Sequence, residues 1–323
     1  MDIITVYKKD FISYLNKKVE VTEPVNLYEP IHYILQLGGK RLRPILTLIT
    51  CEIFNGDVYK AYDAALAIEI FHNFTLIHDD IMDSAPIRRG KETVHKKWNL
   101  NTGILSGDAM MIMAYQCFES YDSETFKKLL KLFSKTSLEV CEGQQLDMDF
   151  ETRNDVTIPE YLKMITYKTS VLLAAAMKMG VIIAKAKDEE ADAMYNFGLN
   201  LGIAFQLQDD YLDTFGDSKV FGKKIGGDIT ENKKTFLYLK ALEVSTIEDK
   251  EQLLNLYHSN KNNDCKVEEV THLFKKNNVP EITINEIEFY TNKAFEILEK
   301  QSISEEKKLI LRNFGLSLMK RTI

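Results

Sequence analysis

Two aspartate clusters carry the strongest chemical signal in the chain: Asp79-Asp80-x-x-Asp83 and Asp209-Asp210-x-x-Asp213, 130 residues apart. On an α-helix each residue advances ~100°, so positions i, i+1 and i+4 fall within a ~100° arc and send three carboxylates to one side. Such an arrangement is costly unless cations occupy it. Magnesium suits it, being a hard ion that combines one or two carboxylates with water and phosphate oxygens, and two facing clusters would hold a diphosphate between metal ions. Taken singly, each cluster reads equally as a solvated acidic helix end. The flanking residues weigh against that: FHNFTLIH precedes Asp79 and IAFQLQ precedes Asp209, apolar stretches in which uncompensated carboxylates are expensive. DDIMDSAPIRRG also lacks the alternating acids and central glycine of a calcium loop.

Anions need partners, and basic residues stand near the first cluster. Arg88-Arg89-Gly90-Lys91 follow it, and Gly38-Gly39-Lys40-Arg41-Leu42-Arg43-Pro44 lie upstream. Arginine offers phosphate a planar fork and lysine a point charge, while paired glycines let backbone approach an anion closely. Either segment alone also reads as an ordinary basic loop. His72 precedes Asp79 by seven residues, ~20° around an ideal helix, so it can face the same cavity. A hydrogen-bonded core histidine is the commoner reading of such a residue. Gln206 falls ~60° from Asp209, within the carboxylate arc; a buried, satisfied amide is its plain alternative.

Long helices must position these groups, and the apolar pattern supplies them. Helical spacing recurs over Ala61 to His78, Leu105 to Ser120, Phe126 to Cys141 and Met194 to Phe215, whereas strand-like alternation is scarce. With six prolines and fifteen glycines, breakers fall at helix ends: Pro30, Gly38-Gly39, Pro44, Gly56, Pro86, Gly90, Pro159 and Gly226-Gly227. These features predict an all-α fold, a single-domain antiparallel helical bundle over residues 1–323. Beyond about residue 245 the helices become more charged, and the polar loop SNKNNDCK separates two of them as in a peripheral layer.

Composition narrows the partners. A net charge of -7 argues against a nucleic-acid binder or an electrostatic membrane binder. Cys51, Cys117, Cys141 and Cys265 show neither a disulfide framework nor zinc spacing, which fits a reducing cytoplasm. The N-terminus lacks the apolar core of a secretory signal. The longest apolar run, Val171 to Ala184, is interrupted by Lys178 and falls short of the ~20 residues of a spanning helix, so stable membrane insertion is not expected.

The motifs GGKRLRP, FHNFTLIHDDIMD, RRG, GDAM, GQQLD, YKTS, FQLQDDYLD, GKKIGGD and NKKT, in this order from about Gly38 to Lys240, resemble those of the trans-isoprenyl diphosphate synthases, the polyprenyl synthetase family. The resemblance implies an isoprenoid-synthase type of helical bundle around a central cavity, usually homodimeric. It also implies three magnesium ions, held by Asp79 and Asp83 on one side and Asp209 and Asp213 on the other, with Asp80, Asp210 and Asp228 assisting. Arg88, Lys168 and Lys233 look like contacts to an allylic diphosphate, joined by Lys223 or Lys224. Gly39, Lys40, Arg43, His72 and Arg89 are similar to the family's isopentenyl diphosphate site. Thr169 and Gln206, with helix carbonyls near Lys168, look like the dipoles that tolerate an allylic cation. By this resemblance the chain condenses the two diphosphates head to tail and releases diphosphate, which takes the proton lost.

Product length in the family is set by residues four and five before the first aspartate, here Thr75 and Phe74. The helical wheel alone would not choose Phe74, which lies ~140° from Asp79. A single aromatic there, with no two-residue insertion in DDIMD, resembles archaeal-type geranylgeranyl diphosphate synthases and implies a C20 product before C15. Phe71 and Met110 to Met113 narrow the cavity or simply pack the core. One departure is Leu237, where many members have proline. A terpene cyclase is the competing enzyme, disfavoured because its second motif usually mixes Asn, Ser or Thr and Glu. A noncatalytic regulatory subunit commonly loses an acidic cluster, and both are present here. Lys320-Arg321 reads as a frayed basic end or a flap over the second diphosphate.

Overall fold

The computed structural model describes residues 3–216, 225–258 and 264–319. Lys223, Lys224, Lys320 and Arg321 lie outside the described residues. The first helices are α1 (Ile3–Lys18), α2 (Val25–Gln36), α3 (Leu42–Ile53), α4 (Tyr62–Met82), α5 (Val94–Lys97) and α6 (Leu100–Gln116). Next come α7 (Ser123–Thr152), α8 (Ile158–Ile165), a π-helical turn at Thr166–Ser170, α9 (Val171–Ile183) and α10 (Asp188–Phe215). The last are α11 (Gly227–Thr230), α12 (Phe236–Val244), α13 (Ile247–His258), α14 (Asp264–Lys276), α15 (Val279–Glu299) and α16 (Glu305–Met319). Among the described residues the only strands are a two-residue pair, β1 (Ile87–Arg88) and β2 (Lys91–Glu92).

The contacts gather into two compact units, Met1–Ser134 with Ala175–Asp192, and Lys135–Ala174 with Ala193–Ile323. In the first, α4 is buried around its circumference through Ala64, Ala65, Leu66, Ala67, Ile68, Ile70 and Phe71. Alanines let neighbours come close while the larger side chains fill between them. Helix α6 reaches α4 at Gly107, where a Cβ would stand 2.3 Å from His78 Nε2. The part of α9 that belongs to this unit, from Ala175 on, reaches α3 at Gly180, where a Cβ would meet Thr50 Oγ1 at 2.1 Å. Thr47 Oγ1 donates to the Ala176 carbonyl there at 3.0 Å.

Pro30 departs from the sequence expectation: it lies inside α2, not at its end. An interior proline forfeits a backbone hydrogen bond and costs about 3 kcal/mol. Burial of Pro30 with Ile31, Ile34 and Leu35 on one face offsets that cost.

The core of the second unit gathers Leu207, Phe236, Leu237, Tyr238, Leu253, Phe274 and Val279. Leu237, the departure that follows the NKKT motif, is buried in that core, and α12 starts at Phe236 after its N-cap Thr235. Helix α8 opens with a capping box between Thr157 and Glu160, and proline occupies its first turn. From Ile158 to Ile183 the chain is helical for 26 residues, longer than the apolar letters suggested, and long and apolar enough to cross a membrane. Its most apolar window is 72 % buried within the protein, as a core helix is.

Candidate active site

Both acidic clusters stand at helix C-termini. Asp79 and Asp80 occupy the last turn of α4, and Asp83 caps it; Asp209, Asp210 and Asp213 lie in the last two turns of α10. A helix C-terminus carries partial negative charge, which disfavours carboxylates by roughly 0.3–1 kcal/mol each. Two such clusters therefore call for positive charge from elsewhere.

At the first cluster part of it comes from Arg88. Its Nε lies 2.8 Å from each Asp80 carboxylate oxygen, and its Nη2 lies 2.7 Å from Asp80 Oδ1 and 3.5 Å from Asp79 Oδ2. Asp80 is 1 % exposed. Burial raises its proton affinity, the Arg88 contact opposes that, and the Asp79 charge adds to it. A tight hairpin delivers Arg88: Arg88 pairs with Lys91, and the intervening Arg89 and Gly90 have φ 52° and 75°. Positive φ at both loop residues is the type I′ hairpin geometry, which suits glycine and strains arginine.

Arg89 uses that turn to reach the GGKRLRP segment, donating from Nη1 to the Gly38 carbonyl. Gly39, at φ 125°, makes the approach possible, because a Cβ there would lie 3.1 Å from the Arg89 guanidinium. Lys40 is exposed beside it. Arg43 Nη1 lies 3.3 Å from His72 Nε2. Guanidinium can only donate, so His72 accepts through Nε2 and carries its proton on Nδ1. Burial, then Arg43, Arg89, Arg88 and Arg41, hold the imidazole well below its ordinary range, hence neutral. Arg43 Nε is buried with no hydrogen-bond partner among the described residues. Gly39, Arg43, His72 and Arg89 are thus brought together as a cluster of groups suited to an anion.

Phe74 is 7 % exposed and packs on Phe71 (centroids 5.4 Å) and edge-on to His78 (4.8 Å). Phe71 in turn meets Phe133, which also contacts Tyr115 and Phe118. Thr75 instead donates to the His72 carbonyl at 2.8 Å. Met110 is fully buried.

In the second unit, Lys168 and Thr169 occupy the π-helical turn. Two glycines clamp it. A Cβ on Gly143 would lie 2.2 Å from the Lys168 backbone nitrogen, and one on Gly202 would lie 2.7 Å from Ser170 Cα. Such turns recur at functional sites because they re-aim side chains within an otherwise straight helix. Lys168 Nζ meets Asp147 Oδ2 at 2.5 Å. Thr169 donates to Gln206 Oε1 at 3.2 Å, and Gln206 Nε2 donates to Asp210 Oδ1 at 3.1 Å.

Tyr161 also donates to Asp210. Burial, then the Asp228 charge, raises the proton affinity of Asp210; burial, then Asp213, raises that of Asp228. Asp228 N donates to Asp213 Oδ2 at 2.9 Å. Lys233 Nζ stands 3.6 Å from Asp228 and 3.0 Å from Glu231. Burial works against its charge, yet these two carboxylates hold its pKa above the ordinary lysine value.

Sequence reasoning missed Glu69, Asn73, Asp147 and Tyr161, and named Arg41 only as part of the basic segment. Glu69 carried a signal, a lone charge in the apolar run ALAIEIF, and Asp147 another, closing GQQLD. Tyr161 carried none.

Among the described residues no three His, Cys, Asp or Glu side chains close into a metal cage. The donor set nevertheless fits magnesium. Two triads of carboxylates crowd the ends of α4 and α10, with Asp80 and Asp210 raised in proton affinity by burial, and a hard ion bound there would complete its shell with water and phosphate oxygens.

Residues 24–274 match the model of a protein family described as polyprenyl synthetase. The chain belongs to the polyprenyl synthetase family. It is a prenyltransferase, and members of its family use magnesium with diphosphate substrates. The match extends beyond the Gly38 to Lys240 span that carries the motifs. The synthetase is 44 % identical over 231 residues to a geranylgeranyl diphosphate synthase of Methanosarcina mazei, with 71 % of each chain covered. It is 36 % identical over 313 residues to that of Saccharolobus solfataricus, with 94 % of each covered. A crystal structure of a geranylgeranyl pyrophosphate synthase superimposes with a TM-score of 0.96 at 52 % identity, over 100 % of both chains.

Proposed function

We propose that this synthetase condenses an allylic diphosphate with isopentenyl diphosphate head to tail, building geranylgeranyl diphosphate as its main product and farnesyl diphosphate next. The observation that carries this reading is the cluster of Arg43, neutral His72 and Arg89 against Gly39, which gathers anion-binding groups additional to the acidic clusters. A cyclase ionising one diphosphate has no use for a second anion site. The chain-wide identity to synthases of this product supports the C20 assignment.

Asp79, Asp83, Asp209 and Asp213 would hold three magnesium ions, which neutralise the departing diphosphate when bound. Arg88, Lys168 and Lys233 bind that diphosphate, with Lys223 or Lys224 as a further cation. Gly39, Lys40, Arg43, His72 and Arg89 orient isopentenyl diphosphate, whose double bond attacks the allylic cation left by ionisation. Thr169 and Gln206 present oxygen dipoles to that cation. The released diphosphate accepts the proton. Phe74 and Thr75 limit chain growth, Phe74 with the rigidity of its aromatic neighbours.

The chain acts as one synthase domain, a reading supported by a family match that runs through both units. It works in the cytoplasm as a homodimer. Leu100, Ile104, Leu105 and Ile112, exposed along α6, support self-association. It takes neither nucleic acid nor a stable place in a membrane.

Reverse-phase analysis of products from purified protein, magnesium, dimethylallyl diphosphate and labelled isopentenyl diphosphate tests the proposal. A C20 main product is expected. Absence of condensation, or a main product of C30 or longer, overturns it.

A further inference from the structure

The arginine pocket is built against a carboxylate to which condensation chemistry assigns no part. Glu69 lies on α4 with its side chain 3 % exposed. It accepts from the equally buried guanidinium of Arg41 and, through Oε1, from Asn73 Nδ2 at 3.1 Å. Asn73 Nδ2 also donates to the Glu69 carbonyl at 2.8 Å, and Arg41 donates to the Leu35 carbonyl. A carboxylate this far from water is tolerated only when paired and hydrogen-bonded.

Arg41 shows what the pairing holds in place. Its φ of 55° is left-handed, a conformation that strains a side-chain-bearing residue. At that residue the irregular Gly38–Lys40 segment becomes helix α3, with Arg41 as N-cap and no side-chain cap. The backbone turn at Arg41 therefore sets where Gly39 and Lys40 leave and where Arg43 enters the pocket. Glu69 is also a counter-charge for the cluster. Arg43 and Arg89 lose proton affinity by burial, and the Glu69 field works against that loss at both.

We propose that Glu69 is the positioning residue of the isopentenyl diphosphate pocket: through Arg41 it fixes the Gly38–Arg43 turn, and as the buried counter-charge it lets Arg43 and Arg89 gather round His72. The inference rests on the assignment of that pocket to isopentenyl diphosphate made above.

Glu69→Gln tests it, because the amide keeps the size of the side chain and one acceptor oxygen while removing the charge. Initial rates are measured against isopentenyl diphosphate with allylic substrate and magnesium saturating, then against each of the others in turn. The expected result is a KM for isopentenyl diphosphate about tenfold higher, with allylic KM and half-saturating magnesium within about twofold of wild type. Glu69→Asp, which keeps the charge on a shorter arm, falls between wild type and Glu69→Gln. An unchanged or lower isopentenyl diphosphate KM, or an equal rise in both KM values, overturns the inference. Should Glu69→Gln fail to fold, Asn73→Ala, which removes one of the hydrogen bonds that hold Glu69 against Arg41 while leaving every charge, carries the same test, with an expected rise of about threefold. Wild-type protein that does not condense the two diphosphates defeats the proposed function and this inference with it. Active wild type with an indifferent Glu69 variant defeats the inference alone.

Discussion

Gly143 and the backbone of Lys168 are in such close approach that a single methyl group on Gly143 would overlap the Lys168 nitrogen, at 2.2 Å. The neighbouring atoms are backbone, so no rotamer change can relieve the clash. The π-helical turn that aims Lys168 and Thr169 therefore depends on a hydrogen atom at residue 143. Gly143→Ala is expected to destabilise the protein by about 1–3 kcal/mol through overpacking. It should lower kcat more than a surface substitution of equal stability cost. Urea unfolding and steady-state kinetics on the same preparation check both halves.

The acidic clusters predict an absolute metal requirement. A chelator is expected to abolish condensation, and excess magnesium to restore it. Asp79→Asn and Asp209→Asn should each lower kcat on the order of 10²-fold or more, since each removes charge that holds ions on the leaving diphosphate. The folded state should tolerate both changes, because the carboxylates stand at the unfavourable ends of helices. Thermal melts without metal should show Tm unchanged or slightly raised.

Phe74 is packed between Phe71 and His78, so truncation opens space and removes contacts together. Phe74→Ala is expected to shift the main product to C25 or longer while costing about 3–5 kcal/mol of stability. Product chromatography and denaturant unfolding measure the two effects separately. Unchanged product length would place the floor elsewhere.

His72 makes stability depend on pH. In the folded chain, burial and then Arg43 and Arg89 hold its pKa well below the ordinary value of 6.5. Above pH 6.5 both folded and unfolded chains are neutral at this residue, and it adds no pH dependence. Below that, the unfolded chain takes a proton and the folded chain does not. Stability should then fall with pH by up to about 1.4 kcal/mol per unit until the folded pKa is reached. His72→Gln should flatten this part of the profile, as read from urea midpoints between pH 7 and pH 5.

Much of the site was legible before any fold was known, because its signals are local. Helical geometry alone places Asp79, Asp80 and Asp83 together, and the same holds for Asp209, Asp210 and Asp213. Gln206 reaches Asp210 one turn away, as its position in the carboxylate arc suggested. The long helices were legible from apolar spacing, although α4 continued beyond His78 to Met82 and Pro30 fell inside α2. Local pattern cannot weigh an interior proline against the tertiary burial that compensates it.

The sequence by itself determined the carboxylate triads, the helices that carry them and the stock of arginines and lysines, since each follows from residue type and a fixed helical repeat. Only the tertiary structure decided the pairings. Arg88 is turned onto Asp80 by a hairpin in which Arg89 takes a left-handed conformation. Arg41 is committed to Glu69, 28 residues away, and Tyr161 to Asp210, 49 residues away. Each of these is a contact between groups distant in the chain, satisfied because a buried charge must find a partner. Which partner it finds is settled by packing, which residue spacing does not encode.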